Sequence, residues 1–414
     1  MIRVLFFAMT WIGVAACNES FTYCQGGVCL SALAKQADVN HRLLLIGDAG
    51  APAWDREGRR MKEKPILIAL QNYAKLLPDK STVVFLGDNI YEQGLPDEDN
   101  LPQAEDENCE RRACAEMRID AQINVARESG AQGIFVPGNH DWDNGGTKGW
   151  KRIRNLGGYI SGSKKTGHLN VALIPEKGCP GPKTVLLGGE NGKAALVVLD
   201  TQWWLHQYEK PGRNHRGGCS RATEQEVLQA LKLQLTDAKT KDRWVVVAAH
   251  HPLQSWGEHS GNYFFKGLGD FFFMIKQWGR INVYFSPQEM NHPVYLKMKR
   301  AVEKVLEAAA GKRGAPIIYA SGHEHDLQVI EGGGRAGAKY FLVSGLGTAS
   351  RAGRVWHGDR SLFAHAAKDG AGFMVLDFLE NGRVRLTVIE QPLPGPACGP
   401  AHFEPCEIYS RFLG

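Results

Sequence analysis

The chain has 414 residues, of which 43% are hydrophobic and 22% charged, and it carries a net charge of +5. This length suits one large domain or two ordinary ones, and this composition excludes pervasive disorder. Because the net charge is small and no long Lys/Arg run occurs, nucleic-acid binding is not expected.

The first residues predict an export signal. Residues 4–16 are apolar, follow one positive charge, and are too few to cross a bilayer, so residues 1–16 are predicted to be a cleaved signal peptide. Val14-Ala15-Ala16-Cys17 resembles a bacterial lipobox, which would place a lipid on Cys17; ordinary cleavage and secretion is the alternative. The protein is therefore expected in the periplasm or at the cell surface, and its only expected membrane contact is a lipid anchor at Cys17.

Nine cysteines agree with an exported chain. Without Cys17 their number is even, which is typical of chains held by disulfides, while several free thiols are the alternative. No pair has zinc-ribbon neighbours, so a cysteine-based metal site is rejected. Proximity alone suggests the pairs Cys24/Cys29, Cys109/Cys114, Cys179/Cys219 and Cys398/Cys406.

The predicted elements then follow in chain order. Residues 17–40 are predicted to be a linker, and residues 41–395 a single domain, because no repeat or internal linker interrupts them. Short β-branched runs predict buried strands at Arg42–Ile46, Val83–Leu86, Gly133–Val136, Ala195–Leu199, Trp244–Ala249 and Ile317–Ala320. Apolar stripes and capping signals predict helices at Glu63–Leu77, Arg111–Ser129, Thr223–Ala238 and Pro293–Ala310.

Other segments are less regular. The glycine-rich residues 144–192 are predicted to be loop with short strands. Residues 260–300 form an aromatic-rich insertion, interpreted as a small core of its own or as a lid or membrane-facing patch. Near the C-terminus, Asn381-Gly382 predicts a hairpin between two strands, and residues 396–414 are predicted to be a surface tail.

Five of the predicted strands end in metal-binding side chains. Ligand sites of α/β proteins lie at such strand ends. A general acid–base pair would not need so many nitrogen and oxygen ligands. Their number points instead to two transition-metal ions about 3.5 Å apart. Alternation in His323-x-His325 places both rings on one side, so that each could serve one ion. The candidates are Asp48, Asp88, Tyr91, Asn139, His140, His250, His323 and His325; Asp200, without a glycine turn, is interpreted as structural.

Five motifs carry a resemblance to the calcineurin-like metallophosphoesterases, and Tyr91 is similar to the tyrosine of the purple acid phosphatase branch. The motifs are Gly47-Asp48-Ala49-Gly50, Gly87-Asp88-Asn89-Ile90-Tyr91, Gly138-Asn139-His140-Asp141, Val247-Ala248-Ala249-His250 and Gly322-His323-Glu324-His325. The resemblance implies an α/β (α+β) fold, a two-sheet β-sandwich flanked by helices.

The resemblance also implies a dinuclear centre bridged by Asp88. One ion would take Asp48, Tyr91 and His325, and the other Asn139, His250 and His323. The expected pair is Fe(III) with Fe(II), Zn or Mn. Tyr91 bound to Fe(III) would give a charge-transfer colour; the alternative is that Tyr91 only packs beside a colourless centre.

The expected reaction is hydrolysis of a phosphate monoester by attack of a metal-bound hydroxide on phosphorus, as in an acid phosphatase. His140 is one candidate for protonating the leaving oxygen, with Asp141 holding its ring. The other is His259, whose position resembles that of a substrate-side histidine in small purple acid phosphatases. His251 is interpreted as structural.

Two alternative functions remain open. The same site could prefer diesters or nucleotides. A different class of protein, a non-catalytic surface lipoprotein that keeps the fold as a binding scaffold, would be favoured by loss of a metal ligand, and no ligand position of the family pattern is lost.

Overall fold

The computed structural model describes residues 24–25, 28–29, 36–53, 64–98, 111–163, 170–237, 239–260, 286–333, 336–367, 369–393 and 405–414. The predicted signal peptide, Cys17, Cys109, Cys398 and most of the 260–300 insertion lie outside these residues. In the predicted linker, β1 (Cys24–Gln25) and β2 (Val28–Cys29) form an antiparallel pair in which the backbones of Cys24 and Cys29 are opposite each other.

Two sheets of seven strands each form the body of the protein. Sheet A has the order β16-β15-β14-β3-β4-β5-β6, and β3 to β6 run parallel to one another. Its strands are β3 (Val39–Ile46), β4 (Ser81–Phe85), β5 (Gln132–Phe135), β6 (Val171–Leu173), β14 (Gly370–Leu379), β15 (Val384–Pro392) and β16 (Cys406–Leu413).

Sheet B has the order β13-β11-β12-β10-β9-β8-β7, and β8, β9, β10 and β12 are its parallel strands. Its strands are β7 (Lys183–Leu187), β8 (Ala194–Val198), β9 (Trp244–Ala248), β10 (Ile317–Ser321), β11 (Leu327–Glu331), β12 (Tyr340–Ser344) and β13 (Ser361–His365).

Helices cover the outer faces of both sheets. Helices α1, α2 and α3 lie on sheet A, and α5 and α6 pack on each other and on sheet B. The helices are α1 (Pro65–Lys75), α2 (Arg112–Ser129), α3 (Gly149–Ser163), α4 (Gln202–Leu205), α5 (Glu224–Thr236) and α6 (Pro293–Ala310). In the described part of the chain, no helix has the length and apolar character needed to span a membrane.

Strand alternation explains how one chain builds these layers. In β3, Leu43 and Leu45 belong to a core cluster made from strands of both sheets, whereas Leu44 and Ile46 belong to the cluster that includes the helices. Both faces of the central strands are therefore buried, which is why they are nearly continuous apolar runs in the sequence. The predicted two-sheet sandwich flanked by helices is confirmed.

Two elements differ from the sequence predictions. Helix α3 lies within residues 144–192, which were predicted as loop with short strands. Its apolar stripe of Trp150, Ile153, Leu156 and Ile160 packs into the core, although several glycines interrupt the sequence pattern. The predicted C-terminal tail contains β16, which pairs with β15 at the edge of sheet A.

Covalent and ionic links tie distant segments together. The predicted disulfide Cys179–Cys219 is confirmed, and Cys114 is also disulfide-bonded. Arg42 of β3 and Asp377 of β14 are directly paired across the sheet and form a bidentate ion pair of 2.7 and 3.0 Å in the interior. The predicted hairpin at Asn381-Gly382 connects β14 to β15, with Gly382 in the left-handed conformation.

Candidate metal centre

The carboxyl ends of five parallel strands converge at one edge of the sandwich. Sheet A contributes the turns after β3, β4 and β5, and sheet B the turns after β9 and β10. The side chains that these turns carry are buried, apart from a partly exposed His325. The structure therefore brings together all seven residues that the sequence predicts as metal ligands.

Three of these residues form a first set around the Tyr91 hydroxyl. This hydroxyl lies 2.9 Å from Asp48 Oδ1 and 3.2 Å from His325 Nε2, and the latter two atoms are 3.4 Å apart. The set contains a carboxylate, a phenol and an imidazole, which is the combination predicted for one metal position.

Asn139, His250 and His323 form the second set. Asn139 Oδ1 lies 2.9 Å from His250 Nε2 and 3.2 Å from His323 Nδ1. Asp88 joins the two sets, because its Oδ2 is 3.0 Å from the Tyr91 hydroxyl while its Oδ1 is 3.4 Å from His250 Nε2. Each set thus has one oxygen of the same carboxylate directed toward it.

Unusual backbone conformations direct these side chains inward. Asp48, Asp88 and His323 have left-handed φ angles of 60°, 54° and 71°, which cost about 1–3 kcal/mol each and are typical of functional sites. The strand-end turns also pack too closely for larger residues: a β-carbon at Gly87 would lie 2.5 Å from His250 Nδ1, and one at Gly138 would lie 2.2 Å from Asp88 Oδ1.

Backbone amides orient the two carboxylates. Asp48 Oδ2 accepts a hydrogen bond of 2.9 Å from the amide of His323, and Asp88 Oδ1 accepts one of 2.9 Å from the amide of His140. The first of these bonds runs from sheet B to sheet A, so it links the two halves of the centre.

Each histidine of the centre is fixed by a backbone carbonyl on its outer side. His250 Nδ1 lies 2.9 Å from the oxygen of Leu86, His323 Nε2 lies 2.9 Å from that of Gln288, and His325 Nδ1 lies 2.8 Å from that of Arg351. A carbonyl can only accept, so these ring nitrogens carry the hydrogens. The other nitrogen of each neutral ring then presents a lone pair to the centre, as metal-ligating histidines do.

The carboxylates of the centre favour a positive charge between the two ligand sets. Burial alone would lower the pKa of His250, but Asp88, Asp48 and the Leu86 carbonyl together outweigh it and raise this pKa to about 9. The same imidazole, with His140, holds the pKa of Asp88 well below its usual range in spite of burial. A proton on His250 and a metal cation compete for one lone pair, and the carboxylates stabilise either.

The donor set therefore fits two metal ions. It offers two carboxylates, a phenol, an amide oxygen and three imidazoles in two groups that share Asp88. Nitrogen and oxygen ligands of this kind suit transition metals such as iron, manganese and zinc.

His251 does not belong to either set, although its ligand atom lies within 4.8 Å of those of His250 and His323. Its Nδ1 is 2.9 Å from Thr201 Oγ1 and its Nε2 is 2.8 Å from Gln288 Oε1. Because both ring nitrogens are engaged with protein groups, the structural interpretation of His251 agrees with the geometry.

His140 lies against the first set, and its ring centroid is 4.1 Å from that of Tyr91. The prediction that Asp141 holds this ring is wrong. Asp141 instead accepts hydrogen bonds from the amides of Gly138, Asn89 and Ile90, while His140 Nδ1 lies 2.6 Å from the carbonyl oxygen of Glu92. Burial lowers the pKa of His140 to about 4.

His259 lies at the rim of the second set, with its ring centroid 4.6 Å from that of His323 and a third of its side chain exposed. Its Nδ1 is 2.8 Å from Glu289 Oε1, and its amide donates to Glu324 Oε2 over 2.9 Å. Burial opposes the charged ring, but Glu289 and Glu324 raise the pKa of His259 to about 9. The sequence analysis assigned no role to the two glutamates, because Glu289 and Glu324 are both far from His259 in the sequence.

Arg351 is a further residue beside the centre, at the rim of the first set, that the sequence did not reveal. Its guanidinium lies over the Tyr91 ring, 4.0 Å from the centroid, and it forms an ion pair with Glu92. The only available signal was a lone arginine in a loop, which is too common to predict a role.

The sequence was compared with models of known protein families. The sequence model of the family described as Calcineurin-like phosphoesterase matches residues 41–327. This span contains every residue of both sets. No curated protein matches the chain significantly.

Proposed function

The chain belongs to the calcineurin-like phosphoesterase family, and from that premise we propose that it is an exported phosphatase that hydrolyses phosphate monoesters at a centre of two metal ions. Membership of the family makes it a metal-dependent hydrolase of phosphoric esters. The monoester preference, the metals and the export are the proposal.

The observation that carries the proposal is the position of Asp88 between two complete ligand sets. We assign Asp48, Tyr91 and His325 to one ion, and Asn139, His250 and His323 to the other, with Asp88 shared. Phenolate is a hard ligand, so Fe(III) is proposed at the Tyr91 position, with Fe(II), Zn or Mn at the other. Two bound cations would supply positive charge for the phosphoryl oxygens and activate water.

Side chains of the protein protonate the leaving group. The Glu289 carboxylate fixes His259 Nδ1–H and stabilises a protonated ring. Among the described residues no group accepts from Nε2–H, which can therefore donate at the partly exposed rim. In His140, Nδ1–H donates to the Glu92 carbonyl, so Nε2 carries a lone pair near the Asp88 carboxylate, 3.9 Å away. We therefore propose His259 as the general acid and His140 as a neutral acceptor that orders the substrate or water.

Charge at the rim favours a monoester. A monoester carries up to two negative charges on its terminal phosphate, whereas a diester carries one. His259 and the Arg351 guanidinium place positive charge beside the two proposed metals. Their carboxylate partners, Glu289 and Glu92, keep both side chains in position.

Two features support export. The N-terminal segment has the pattern of a signal peptide, and the chain holds the Cys179–Cys219 disulfide together with a disulfide at Cys114. Disulfides persist in oxidising compartments such as the periplasm. We propose a mature chain that begins at Cys17 and carries its lipid.

A substrate series tests the reaction class. We expect the wild type to hydrolyse aryl and alkyl monoesters with kcat/KM at least about tenfold above that for a bis-aryl diester. His259→Asn should lose about 100-fold on an alkyl phosphate and much less on an aryl phosphate, because a good leaving group needs little protonation. His215→Asn changes an exposed histidine that contacts Trp150 and serves as the control.

Other outcomes would change the conclusion. A higher kcat/KM on the diester would overturn the monoester preference and favour a phosphodiesterase on the same site. Equal losses of His259→Asn on both monoesters would remove the general-acid role. If the metal-loaded chain hydrolyses none of the esters, the proposed enzyme activity is overturned and the alternative of a non-catalytic binding scaffold is favoured.

A further inference from the structure

The amide of Asn139 could face the centre with either of its two ends, which have nearly the same shape. In the structure the oxygen faces His250 Nε2 and His323 Nδ1, at 2.9 and 3.2 Å. When the rings are neutral, as they must be to bind a cation, both nitrogens present lone pairs, since the outer nitrogens of these rings donate to carbonyls. A flipped amide would direct its NH₂ group to the two lone pairs, and no ligand oxygen would remain for a cation.

Asn144 opposes this flip. The Asn139 Nδ2 atom donates to Asn144 Oδ1 over 3.1 Å, and a flip of the Asn139 amide against this Asn144 oxygen would place two oxygens opposite each other. We propose that Asn144 is a positioning residue of the metal centre, which keeps the Asn139 oxygen directed at the ion of the second set. This inference rests on the proposed function, because it concerns the ligands of that same centre.

The loop that carries Asn144 is held in an unusual conformation. Asp143, Asn144 and Gly145 have consecutive left-handed φ angles of 61°, 48° and 79°. The start of helix α3 fixes them, since Asp143 Oδ2 accepts the amide of Lys148 over 3.0 Å and the Asp143 carbonyl accepts the amide of Gly146 over 2.8 Å. Strained backbone persists only where its surroundings enforce it, and here the result is that the Asn144 side chain reaches Asn139.

Asn144 differs from the other groups that orient the ligands. The three histidines are oriented by backbone carbonyls, which no side-chain substitution removes. The Asn139 amide is instead oriented by a side chain on an exposed residue at the rim. One substitution at position 144 can therefore alter the orientation of a ligand while every ligand stays in place.

Two variants separate this role from a role in the loop fold. Asn144→Gly tolerates the left-handed backbone and removes the acceptor, whereas Asn144→Asp also tolerates it and keeps an acceptor oxygen. The full chain is loaded with Zn²⁺, and bound zinc per chain is measured against increasing concentrations of a chelator. We expect Asn144→Gly to bind one of its two zinc ions about 10–100-fold more weakly than the wild type, and Asn144→Asp to bind both at least as tightly.

The melting temperature of the zinc-free chain is the second readout, and we expect it to change little in either variant. If Asn144→Gly binds zinc as tightly as the wild type, this inference is overturned while the proposed function stands. The same holds if zinc binding is weakened equally in Asn144→Gly and Asn144→Asp. A wild-type chain that binds neither zinc nor iron would overturn the proposed function, and the inference with it.

Discussion

At the residue scale, His41 shows how a buried side chain makes stability depend on pH. It lies in β3 with Nε2 2.9 Å from Thr82 Oγ1, and burial, together with Lys80, lowers its pKa from 6.5 to about 4. As the pH falls, His41 therefore becomes protonated near pH 6.5 in the unfolded chain, but only near pH 4 in the folded chain. The contribution of His41 to stability is complete above the unfolded pKa and is lost as the pH falls toward the folded pKa.

We predict that the free energy of unfolding decreases by up to about 3 kcal/mol between pH 6.5 and pH 4 through His41. His41→Asn, which cannot titrate but can still bond to Thr82, should show a smaller decrease. Urea denaturation at a series of pH values measures both. His140 and His206, whose pKa values burial also lowers to about 4, act in the same direction and keep some slope in the variant. Identical pH slopes in the two proteins would exclude His41 as a source.

The ligands of the centre could be predicted from sequence because each one follows a recognisable apolar strand and a turn. The groups that orient them could not. The carbonyls of Leu86, Gln288 and Arg351 belong to the backbone, which every residue type shares. Asp141 was assigned to the adjacent His140 on sequence proximity, but its carboxylate lies under the strand-end turn and accepts backbone amides there.

At the element scale, the Cys179–Cys219 disulfide joins the turn before β7 to the loop before α5. The bond closes a segment with a sequence separation of 40, so it restricts the unfolded chain considerably. We predict that Cys179→Ser/Cys219→Ser lowers the free energy of unfolding by about 3–4 kcal/mol, measured by urea denaturation. The metal content of the folded variant should equal that of the wild type, since neither cysteine touches the centre.

Reduction of the wild type offers a matched comparison for this prediction. The reduced wild type should approach the stability of the double variant, apart from effects of the disulfide at Cys114. A double variant that unfolds at the wild-type urea concentration would show that the covalent link contributes little.

Most elements could be predicted because their periodicity is strong, and α6 matches its predicted range of Pro293–Ala310. The failures have physical reasons. Glycines at positions 157, 158 and 162 dilute the apolar stripe of α3, so its helical character depends on packing against β6 and the core. Strand β16 depends on its neighbour β15, and pairing between distant segments leaves no local signal.

At the scale of the whole molecule, the proposed centre exists only when both sheets are packed together. Sheet A supplies Asp48, Asp88, Tyr91 and Asn139, and sheet B supplies the three histidines. Hydrogen bonds cross between the sheets at the centre, such as those from the Gly47 amide to the Ser344 carbonyl (2.6 Å) and from the His323 amide to Asp48. The order of the strands within each sheet, which creates this convergence, could not be derived from the sequence.

The central claim is that Asp88 joins two ligand sets into one catalytic metal centre. The most direct measurement determines the metal-to-protein ratio and the hydrolysis of an aryl phosphate for the wild type and for Asp88→Asn, with circular dichroism to show that both are folded. We predict about two metal ions per wild-type chain, and in Asp88→Asn the loss of at least one ion together with a decrease in kcat/KM of about 100-fold or more. A folded Asp88→Asn variant with the wild-type metal content and turnover would contradict the account.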